Sequence, residues 1–331
     1  MMAFVELVSG FWISQAMSVA ARLGVADALT EEPRSIEELA EATQAHAPSL
    51  YRLMRTLASV GVFTEVEPRR FALTPVGEYL CDDNPDSLRY QAVMHGDEWH
   101  WQVFGGMLQT LKDGKPAIEH LHQVSSYWEY LAQHPADKSN FDRAMLGVAK
   151  NYHTPFIESY DFSGATKVID VGGGAGTLIA SILKAHPHLH GVLFDLPTTV
   201  AEGAKFLERE GVGERCETVG GDILQSIPSG GDLYTMSYVL PDWDDLHCIT
   251  ILKNLRAAMG SDSKLLLVDS IVPPGDRHSW VKWVDLFELC MGSGKLRTEA
   301  EFGELFKKTG LQLVRTMSME TPCSVMELIP A

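Results

Sequence analysis

Three aspartates and a glycine-rich turn stand at positions where an α/β sheet binds a nucleoside-bearing ligand. Residues 168–177 predict a buried strand that carries Asp170 and runs into a glycine turn that opens a helix. The turn contains Gly172, Gly174 and Gly176. Asp195 and Asp222 follow the next two strand candidates. Because the carboxyl ends of parallel strands meet at one edge of the sheet, we expect the three carboxylates to line one site.

The residues around the turn indicate which ligand it holds, since nicotinamide, flavin and adenosyl sites all use glycine turns. Thr177 stands where a dinucleotide fingerprint has its third glycine. Asp170 would repel a pyrophosphate but can accept hydrogen bonds from the ammonium group of a methionine moiety. Asp195 can bind both ribose hydroxyls, and Asp222 with Ile223 can bind the amine and ring of adenine. Together they predict a site for S-adenosyl-L-methionine (SAM). Singly, Asp195 could be a helix N-cap and Asp222 a turn residue.

The second half of the chain has the pattern of the sheet that these residues need. Short apolar segments alternate with helix-length segments, which predicts a parallel sheet with helices on both faces. The strand candidates are residues 167–171, 191–194, 216–219, 232–237 and 264–268. The tail, at 311–316 and 324–329, predicts a hairpin that closes the sheet at its edge.

The first half of the chain predicts helices and one hairpin. Residues 11–30 have apolar side chains at helical spacing, Ser35 and Glu38 form a capping-box sequence, and Pro48 suits the first turn of a third helix. Residues 62–74 predict a hairpin, which completes a winged helix, and 97–162 predict further helices. In residues 1–100, 7 basic against 15 acidic side chains give a net charge of −8. We therefore expect dimerisation or a substrate lid rather than DNA binding.

Composition narrows the class of protein. The chain has 331 residues, is 45% hydrophobic and carries a formal net charge of −17, which favours a globular fold and argues against a nucleic-acid partner. The five cysteines have no paired spacing and no close histidines, so we expect reduced thiols and no metal site. The sequence has no basic leader and no apolar run near the length that spans a membrane, so we expect a cytoplasmic protein without a membrane partner.

Short motifs occur along nearly the whole chain. They are Leu23-Gly24-Val25-Ala26-Asp27-Ala28-Leu29, Tyr51-Arg52-Leu53-Met54-Arg55, Phe71-Ala72-Leu73-Thr74-Pro75, Asp161-Phe162-Ser163-Gly164, the glycine turn, Phe194-Asp195-Leu196-Pro197, Asp242-Trp243-Asp244-Asp245 and Arg297-Thr298-Glu299. In combination they resemble the small-molecule O-methyltransferases typified by plant caffeic acid O-methyltransferase and its bacterial natural-product relatives.

The resemblance implies a fold and a division of the chain. The fold is a class I SAM-methyltransferase Rossmann-like α/β sheet that follows a mainly helical, winged-helix dimerisation domain. The resemblance implies a dimerisation domain at 1–100, a helical linker and substrate lid at 101–160 and a SAM-binding catalytic domain at 161–331. It further implies a homodimer that acts on phenols, enols or related metabolites. It also places Leu196, Ser237 and Trp243 beside the cofactor.

One departure from the family bears directly on the reaction. The family's general base is a histidine just before Asp-Trp, and here that position is Pro241, which has no titratable group and no backbone N–H. A glutamate that orients the histidine is replaced by Leu296, whereas the other orienting acid survives as Asp269. General-base catalysis typically contributes ~10²–10⁴-fold to a rate. We therefore expect either a replacement for the base or an acceptor that needs none.

Histidines outside the motif are the candidates for a replacement. His95 and His153 are the predicted bases, with Glu98 and His100 near the first of them, because family substrates sit between the helical domain and the sheet edge. The predicted acceptor site is mainly apolar, which favours a flat or greasy acceptor. Its predicted members are His100, Phe141, Met145, Tyr238, Pro241, Phe287 and Met291.

These observations support a SAM-dependent methyltransferase that acts on a small aromatic or polyketide-like metabolite. The methylated atom is oxygen, nitrogen or carbon, because an amine, an acidic enol or phenolate, or a stabilised carbanion needs alignment but no base. The alternative is a SAM-binding enzyme of the same fold that moves no methyl group and performs a pericyclic, hydroxylation or decarboxylation reaction, in which the sulfonium stabilises negative charge. A winged-helix regulator that senses SAM is the third reading, and the acidic charge argues against it.

Overall fold

A computed structural model describes residues 1–319 and 321–331 of the chain, apart from the side chain of Lys150. The helices are α1 (Met2–Leu23), α2 (Ile36–Ala42), α3 (Ala47–Ser59), α4 (Arg89–His95), α5 (Glu98–Gly105), α6 (Met107–Asp113), α7 (Ala117–His122), α8 (Tyr127–Gln133), α9 (Pro135–Ser159), α10 (Thr177–Ala185), α11 (Pro197–Arg209), α12 (Asp245–Ala258), α13 (Trp280–Met291) and α14 (Glu299–Thr309). The strands are β1 (Arg34–Ser35), β2 (Phe63–Glu67), β3 (Arg70–Leu73), β4 (Lys167–Val171), β5 (His190–Asp195), β6 (Cys216–Gly220), β7 (Leu233–Ser237), β8 (Lys264–Asp269), β9 (Leu311–Ser318) and β10 (Ser324–Pro330). Two compact units form, one from residues 1–105 and 128–148 and the other from residues 106–127 and 149–331.

The first unit contains the predicted winged helix. The Ser35 hydroxyl accepts a hydrogen bond from the Glu38 amide, and the Glu38 carboxylate accepts one from the Ser35 amide, so the capping box that starts α2 is complete. Pro48 lies in the first turn of α3. Strands β2 and β3 form the hairpin, and β1 pairs with β3 to make a three-stranded sheet.

The first helix corrects two expectations from the sequence. Helix α1 begins at Met2 rather than at residue 11, because apolar side chains continue at helical spacing through its first turns. It has 22 residues, and an 18-residue window of mean hydropathy 1.3 is only 6% buried, so the expectation that no segment is long and apolar enough to span a membrane was wrong. A single exposed apolar helix near the amino terminus is weak evidence for a membrane span.

The second unit is built on a seven-stranded sheet with the order β6-β5-β4-β7-β8-β10-β9. The first five strands pair in parallel, and β10 pairs antiparallel with both β8 and β9. The predicted alternation of strands and helices and the closing hairpin are therefore confirmed. The edge strand β9 is the outer member of that hairpin.

Alternating residues of the central strands cover both faces of this sheet. Ile169 and Tyr234 point into one buried apolar cluster, which α12 and α14 complete. Val168 and Leu233 point into the other, which α10 and α11 complete. With both faces buried, polar side chains that act on a ligand must come from the edge at which the parallel strands end.

Candidate active site

The glycine turn after β4 follows a path that side chains would block. Gly172, Gly174 and Gly176 have φ angles of 68°, 58° and 85°, in the left-handed region that favours glycine. A Cβ atom on Gly173 would lie 2.5 Å from Oδ2 of Asp170, and one on Gly172 would lie 2.6 Å from a methyl carbon of Val239. The turn therefore brings backbone close to the Asp170 carboxyl group and leaves space that a ligand can approach.

Asp170 is fully buried, and one of its oxygens has a protein partner. Oδ1 accepts a hydrogen bond from the Thr235 hydroxyl at 2.7 Å. Oδ2 accepts none from the part of the chain that the structure describes. Burial, together with the charge of Asp195, raises the pKa of Asp170 to about 7 although the Thr235 bond favours the ionised form. A cationic hydrogen-bond donor fits this oxygen, as the ammonium group of SAM would.

Asp195 and Asp222 each bind nearby backbone amides. Asp195 Oδ2 accepts from the Gly174 amide at 2.9 Å, and Oδ1 accepts from the Leu196 amide at 2.7 Å. The N-cap residue of α11 is Leu196, so the alternative that Asp195 caps this helix is wrong. Asp222 Oδ1 accepts from the Leu224 amide at 2.8 Å, as a turn residue does. Carboxylate oxygens accept more than one hydrogen bond, so these contacts leave capacity for a ligand.

The remaining predicted cofactor residues lie in the same unit, at or beyond the ends of its strands. Ile223 and Trp243 are half-buried and pack against the apolar cluster under α12 and α14, and Leu196 is 53% exposed. Ser237 ends β7, where its hydroxyl and Nε2 of His153 are 2.9 Å apart. The residues present therefore fit SAM, which when bound supplies an electrophilic methyl group and a positive charge.

A buried arginine holds the loop that carries Pro241. The Arg297 side chain has no solvent exposure, and its guanidinium donates to the carbonyls of Leu240 and Trp243 at 2.9 and 2.8 Å. It also donates to the Asp245 carboxylate at 2.9 and 3.0 Å. Pro241 is buried in a short 3-10 helix that begins at Leu240, where its missing N–H has no intrahelical partner to lose. The position of the family's base is thus rigid and apolar.

Asp269 ends β8 and is fully buried. Its Oδ1 accepts from the Ser270 amide at 2.7 Å, whereas Oδ2 has no donor among the described residues. Burial raises the pKa of Asp269 to about 8, against the opposing influence of the Ser270 amide and the Arg297 charge. Leu296, at the other orienting position, is buried and its amide donates to Asp285 Oδ1 at 2.9 Å.

The predicted histidine bases are buried or half-buried and poorly basic. Burial lowers the pKa of His153 to about 4, so its ring is neutral at pH 7. His95 and His100 belong to the first unit, where their ring centroids are 5.1 Å apart. Burial lowers the pKa of both, in His100 to about 3. The structure therefore brings His153 to the sheet edge through Ser237 and places the other two in a separate cluster.

The predicted acceptor residues divide between the two units. Phe141 and Met145 lie on α9 in the first unit, where the Phe141 ring contacts Trp128. Phe287 and Met291 lie on α13, and Met291 is fully buried. Tyr238 follows β7 with a φ of 51°, which is unusual for a bulky residue. Its hydroxyl and that of Ser270 are 2.9 Å apart, which fixes the ring at the sheet edge.

One acidic residue near this edge was missed in the sequence. Glu288 is 6% exposed, and its Oε2 accepts no hydrogen bond from the described residues. Burial and the charges of Asp242, Asp269 and Asp285 raise its pKa well above the usual value. The available signal was its spacing from Val281 and Met291, seven and three residues away on the buried face of α13.

The raised pKa of Asp170 predicts a pH-dependent effect of Asp170→Asn. The folded state holds the proton more tightly than the unfolded state, so wild-type stability falls as pH rises from about 4 to about 7. The variant does not titrate there and keeps its Thr235 bond. Relative to wild type, its free energy of unfolding should therefore gain about 3 kcal/mol between about pH 4.5 and about pH 8. Urea unfolding of the ligand-free proteins measures this, and Asp262→Asn, an exposed site, is the control. An equal pH dependence in Asp170→Asn and wild type would contradict it.

The cofactor assignment predicts the effect of removing either of the other carboxylates. Asp195→Ala and Asp222→Ala should each weaken SAM binding by about 10- to 100-fold, the equivalent of losing hydrogen bonds to a charged group. Isothermal titration calorimetry with SAM measures the affinity. Asp262→Ala removes an exposed carboxylate in the same unit and should leave it unchanged. If both site variants bind SAM as wild type does, the assignment is wrong.

Comparison with known proteins identifies the family. Residues 104–312 match the model of the O-methyltransferase domain, and residues 5–83 match that of the O-methyltransferase dimerisation domain. The phenazine O-methyltransferase PhzM of Lysobacter antibioticus is 41% identical over 325 residues, which are 98% of this chain and 95% of that protein. Relatives that methylate nitrogen also match.

Solved structures give the same result. The crystal structure of LaPhzM has a TM-score of 0.91 at 40% identity and covers 100% of this chain and 99% of that one. NcsB1, an O-methyltransferase from neocarzinostatin biosynthesis, was solved with S-adenosyl-L-homocysteine and 1,4-dihydroxy-2-naphthoic acid. It has a TM-score of 0.78 at 32% identity, with 96% of each chain covered. With its glycine turn, its carboxylate edge and these matches, the chain belongs to the O-methyltransferase family and is a SAM-dependent methyltransferase.

Proposed function

We propose that this protein transfers the methyl group of SAM to a hydroxyl on an aromatic natural product, with a fused ring system as the preferred acceptor. The observation that carries the proposal is the carboxylate edge around Asp170, which fits SAM, in a chain that is 41% identical to a phenazine O-methyltransferase. The aromatic side chains expected to line the acceptor site, such as Tyr238 and Phe287, suit a flat ring. The relatives are named as methyltransferases, so the non-methylating alternative is not favoured.

In this proposal the residues of the chain bind and align the reactants. Asp170 receives the ammonium group, Asp195 the ribose hydroxyls, and Asp222 with Ile223 the adenine, so that the methyl group is held in one direction. Tyr238, fixed by Ser270, and the rigid loop at Pro241 supply the apolar wall against which the acceptor ring rests. Alignment of this kind lowers the activation free energy by at most about 7–11 kcal/mol.

The proposal also assigns the parts of the chain. Residues 1–100 form the dimerisation domain of a homodimer, residues 101–160 link it to the site and cover the acceptor, and residues 161–331 bind SAM. The match of residues 5–83 to a dimerisation domain supports the homodimer, as does the exposed apolar surface of α1. We assign the protein to the cytoplasm, where its five free, buried cysteines remain reduced. The acidic charge supports our assignment that nucleic acid is not a partner.

The acceptor proposal is tested with SAM and two probe compounds, 1-hydroxyphenazine and 1,4-dihydroxy-2-naphthoic acid. We expect a methyl ether and an equal amount of S-adenosylhomocysteine, both measured by liquid chromatography and mass spectrometry. The matched control is 1-aminophenazine, which has the same ring but no hydroxyl. Methylation of the amine and of neither hydroxyl compound would contradict the proposal, and so would turnover without S-adenosylhomocysteine.

The homodimer predicts the effect of polar substitutions on α1. Phe4 and Leu7 are 71% and 79% exposed in the single chain, so Phe4→Asp with Leu7→Asp should cost the isolated subunit little stability. In a dimer that buries them, two unpaired carboxylates would oppose association. Light scattering after gel filtration should find wild type as a dimer and the double variant as a monomer with unchanged circular dichroism. Val314→Asp, at an exposed position of β9, is the control and should remain dimeric. A monomeric wild type or a dimeric double variant would count against the assignment.

A further inference from the structure

Glu288 is a carboxyl group buried on a face of α13 that otherwise packs into the protein. Val281, Glu288 and Met291 share this buried face, and Glu288 is 6% exposed. Its Oε2 atom has no hydrogen-bond partner among the described residues. Burying a carboxylate without a partner is strongly destabilising, because the charge loses its hydration and gains no compensating interaction. An aliphatic residue would fill the position without that cost, so a chemical role explains the acid better than packing does.

The groups that face Glu288 are acidic or neutral. Asp285 precedes it by one turn on α13, Asp242 approaches from the loop after β7, and Asp269 approaches from the end of β8. The phenol of Tyr127 donates a hydrogen bond to Asp242 Oδ1 at 2.9 Å. The Tyr127 ring lies against Phe287, with centroids 5.8 Å apart. Together these negative charges favour a proton on Glu288 and make its ionised form a strong proton acceptor.

This cluster surrounds the two positions at which the family's proton-transfer residues are replaced. Asp242 directly follows Pro241, the position of the missing histidine. Leu296, the position of the missing glutamate, donates its amide to Asp285 Oδ1 at 2.9 Å. Glu288 interacts with both Asp242 and Asp285. Glu288 on α13 is therefore linked electrostatically to the residues next to both of these positions.

Two other groups at the edge are less suited to take a proton. His153 is fixed to the Ser237 hydroxyl at 2.9 Å, and burial lowers its pKa to about 4. Asp269 accepts a hydrogen bond from the Ser270 amide and lies near the Arg297 guanidinium, and both reduce its proton affinity, although burial still raises its pKa to about 8. The Arg297 guanidinium donates hydrogen bonds to the loop carbonyls and to Asp245, so these donors are not available to neutralise Glu288. The charged groups with the largest influence on Glu288 are Asp242, Asp269 and Asp285, which all have the same sign as its carboxylate.

We propose that Glu288 is the general base of this methyltransferase, the group that accepts the proton that the acceptor loses. The inference rests on the methyl transfer of the proposed function, but it does not depend on which atom of the acceptor is methylated. The acceptor's oxygen or nitrogen forms a bond to the methyl carbon of SAM, and the carbon–sulfur bond breaks with its electron pair going to sulfur. The acceptor's proton passes to the Glu288 carboxylate, and S-adenosylhomocysteine leaves. The protonated carboxyl group then returns its proton to solvent.

Glu288→Gln tests the proposal, because the amide keeps the shape of the side chain and cannot take the proton. On whichever probe the wild-type protein methylates, we expect kcat at neutral pH to fall by about 10²- to 10⁴-fold, with much smaller changes in the Kd for SAM and in the KM of the acceptor. The loss should shrink as pH rises toward the acceptor's own pKa, where the acceptor ionises unaided. Glu288→Asp should keep the wild-type form of the pH profile at a lower rate. Glu304→Gln, the same exchange at an exposed position of α14, is the control and should behave as wild type.

A purely structural role gives different results. A kcat within about twofold of wild type, or a loss of the same size at every pH, would overturn the proposal. A second measurement needs no acceptor. The infrared difference between ligand-free wild type and Glu288→Gln should contain the carbonyl band of a protonated carboxylic acid, and this band should give way to a carboxylate band as pH rises. A Glu288 side chain that stays in one protonation state throughout the pH range in which the enzyme is active would overturn the inference. If no probe is methylated, the proposed function fails while this band still decides whether Glu288 has the proton affinity that we infer.

Discussion

Buried carboxyl groups at the end of one sheet are the constraint on which the rest of this site depends. Asp170, Asp269 and Glu288 are buried, and each has an oxygen that accepts no hydrogen bond from the described residues. A carboxylate in that position must hold a proton or face a cation, because the desolvation of an unpaired charge is too costly. The sheet topology brings two of them to one edge at the ends of β4 and β8. Around them the fold supplies hydrogen bonds that fix one oxygen of each aspartate and leave the other for a ligand.

Arg297 explains how this loop accommodates a proline at position 241. Its guanidinium binds carbonyl oxygens on both sides of Pro241, so the loop is held through acceptors that proline still possesses and needs no N–H at position 241. The next residue, Thr298, is the N-cap of α14 in a complete capping box. Arginine and helix are therefore positioned together, and the chemical identity of residue 241 is free to change without moving Asp242.

Sequence reasoning was effective where local patterns report structure. The strand that carries Asp170 and the glycine turn after it were predictable because their apolar run, carboxylate and glycines are adjacent in the chain. Glu288 was not, because an acid in a helix is usually at the surface and its neighbours Asp242 and Asp269 are distant in sequence. The contact between His153 and Ser237 joins residues 84 positions apart, and no local sequence pattern predicts it. The start of α1 was missed for a different reason, since residues 2–8 are mostly apolar and all exposed in the single chain, so no buried side marks them as part of a helix.

The acidic edge links cofactor affinity to proton affinity. A cation held near Asp170 favours the ionised form of every carboxyl group within its field, and by linkage each ionised carboxylate strengthens the binding of the cation equally. In the ligand-free protein, like charges raise the proton affinity of Glu288, while the Thr235 and Ser270 bonds moderate that of Asp170 and Asp269. A bound cation in this field therefore lowers the proton affinity of Glu288 as well. A carboxyl group of this kind cannot accept a proton while it is protonated, and it becomes a base when the bound reactants favour its ionised form. A histidine that is already neutral at pH 7 would need no such change.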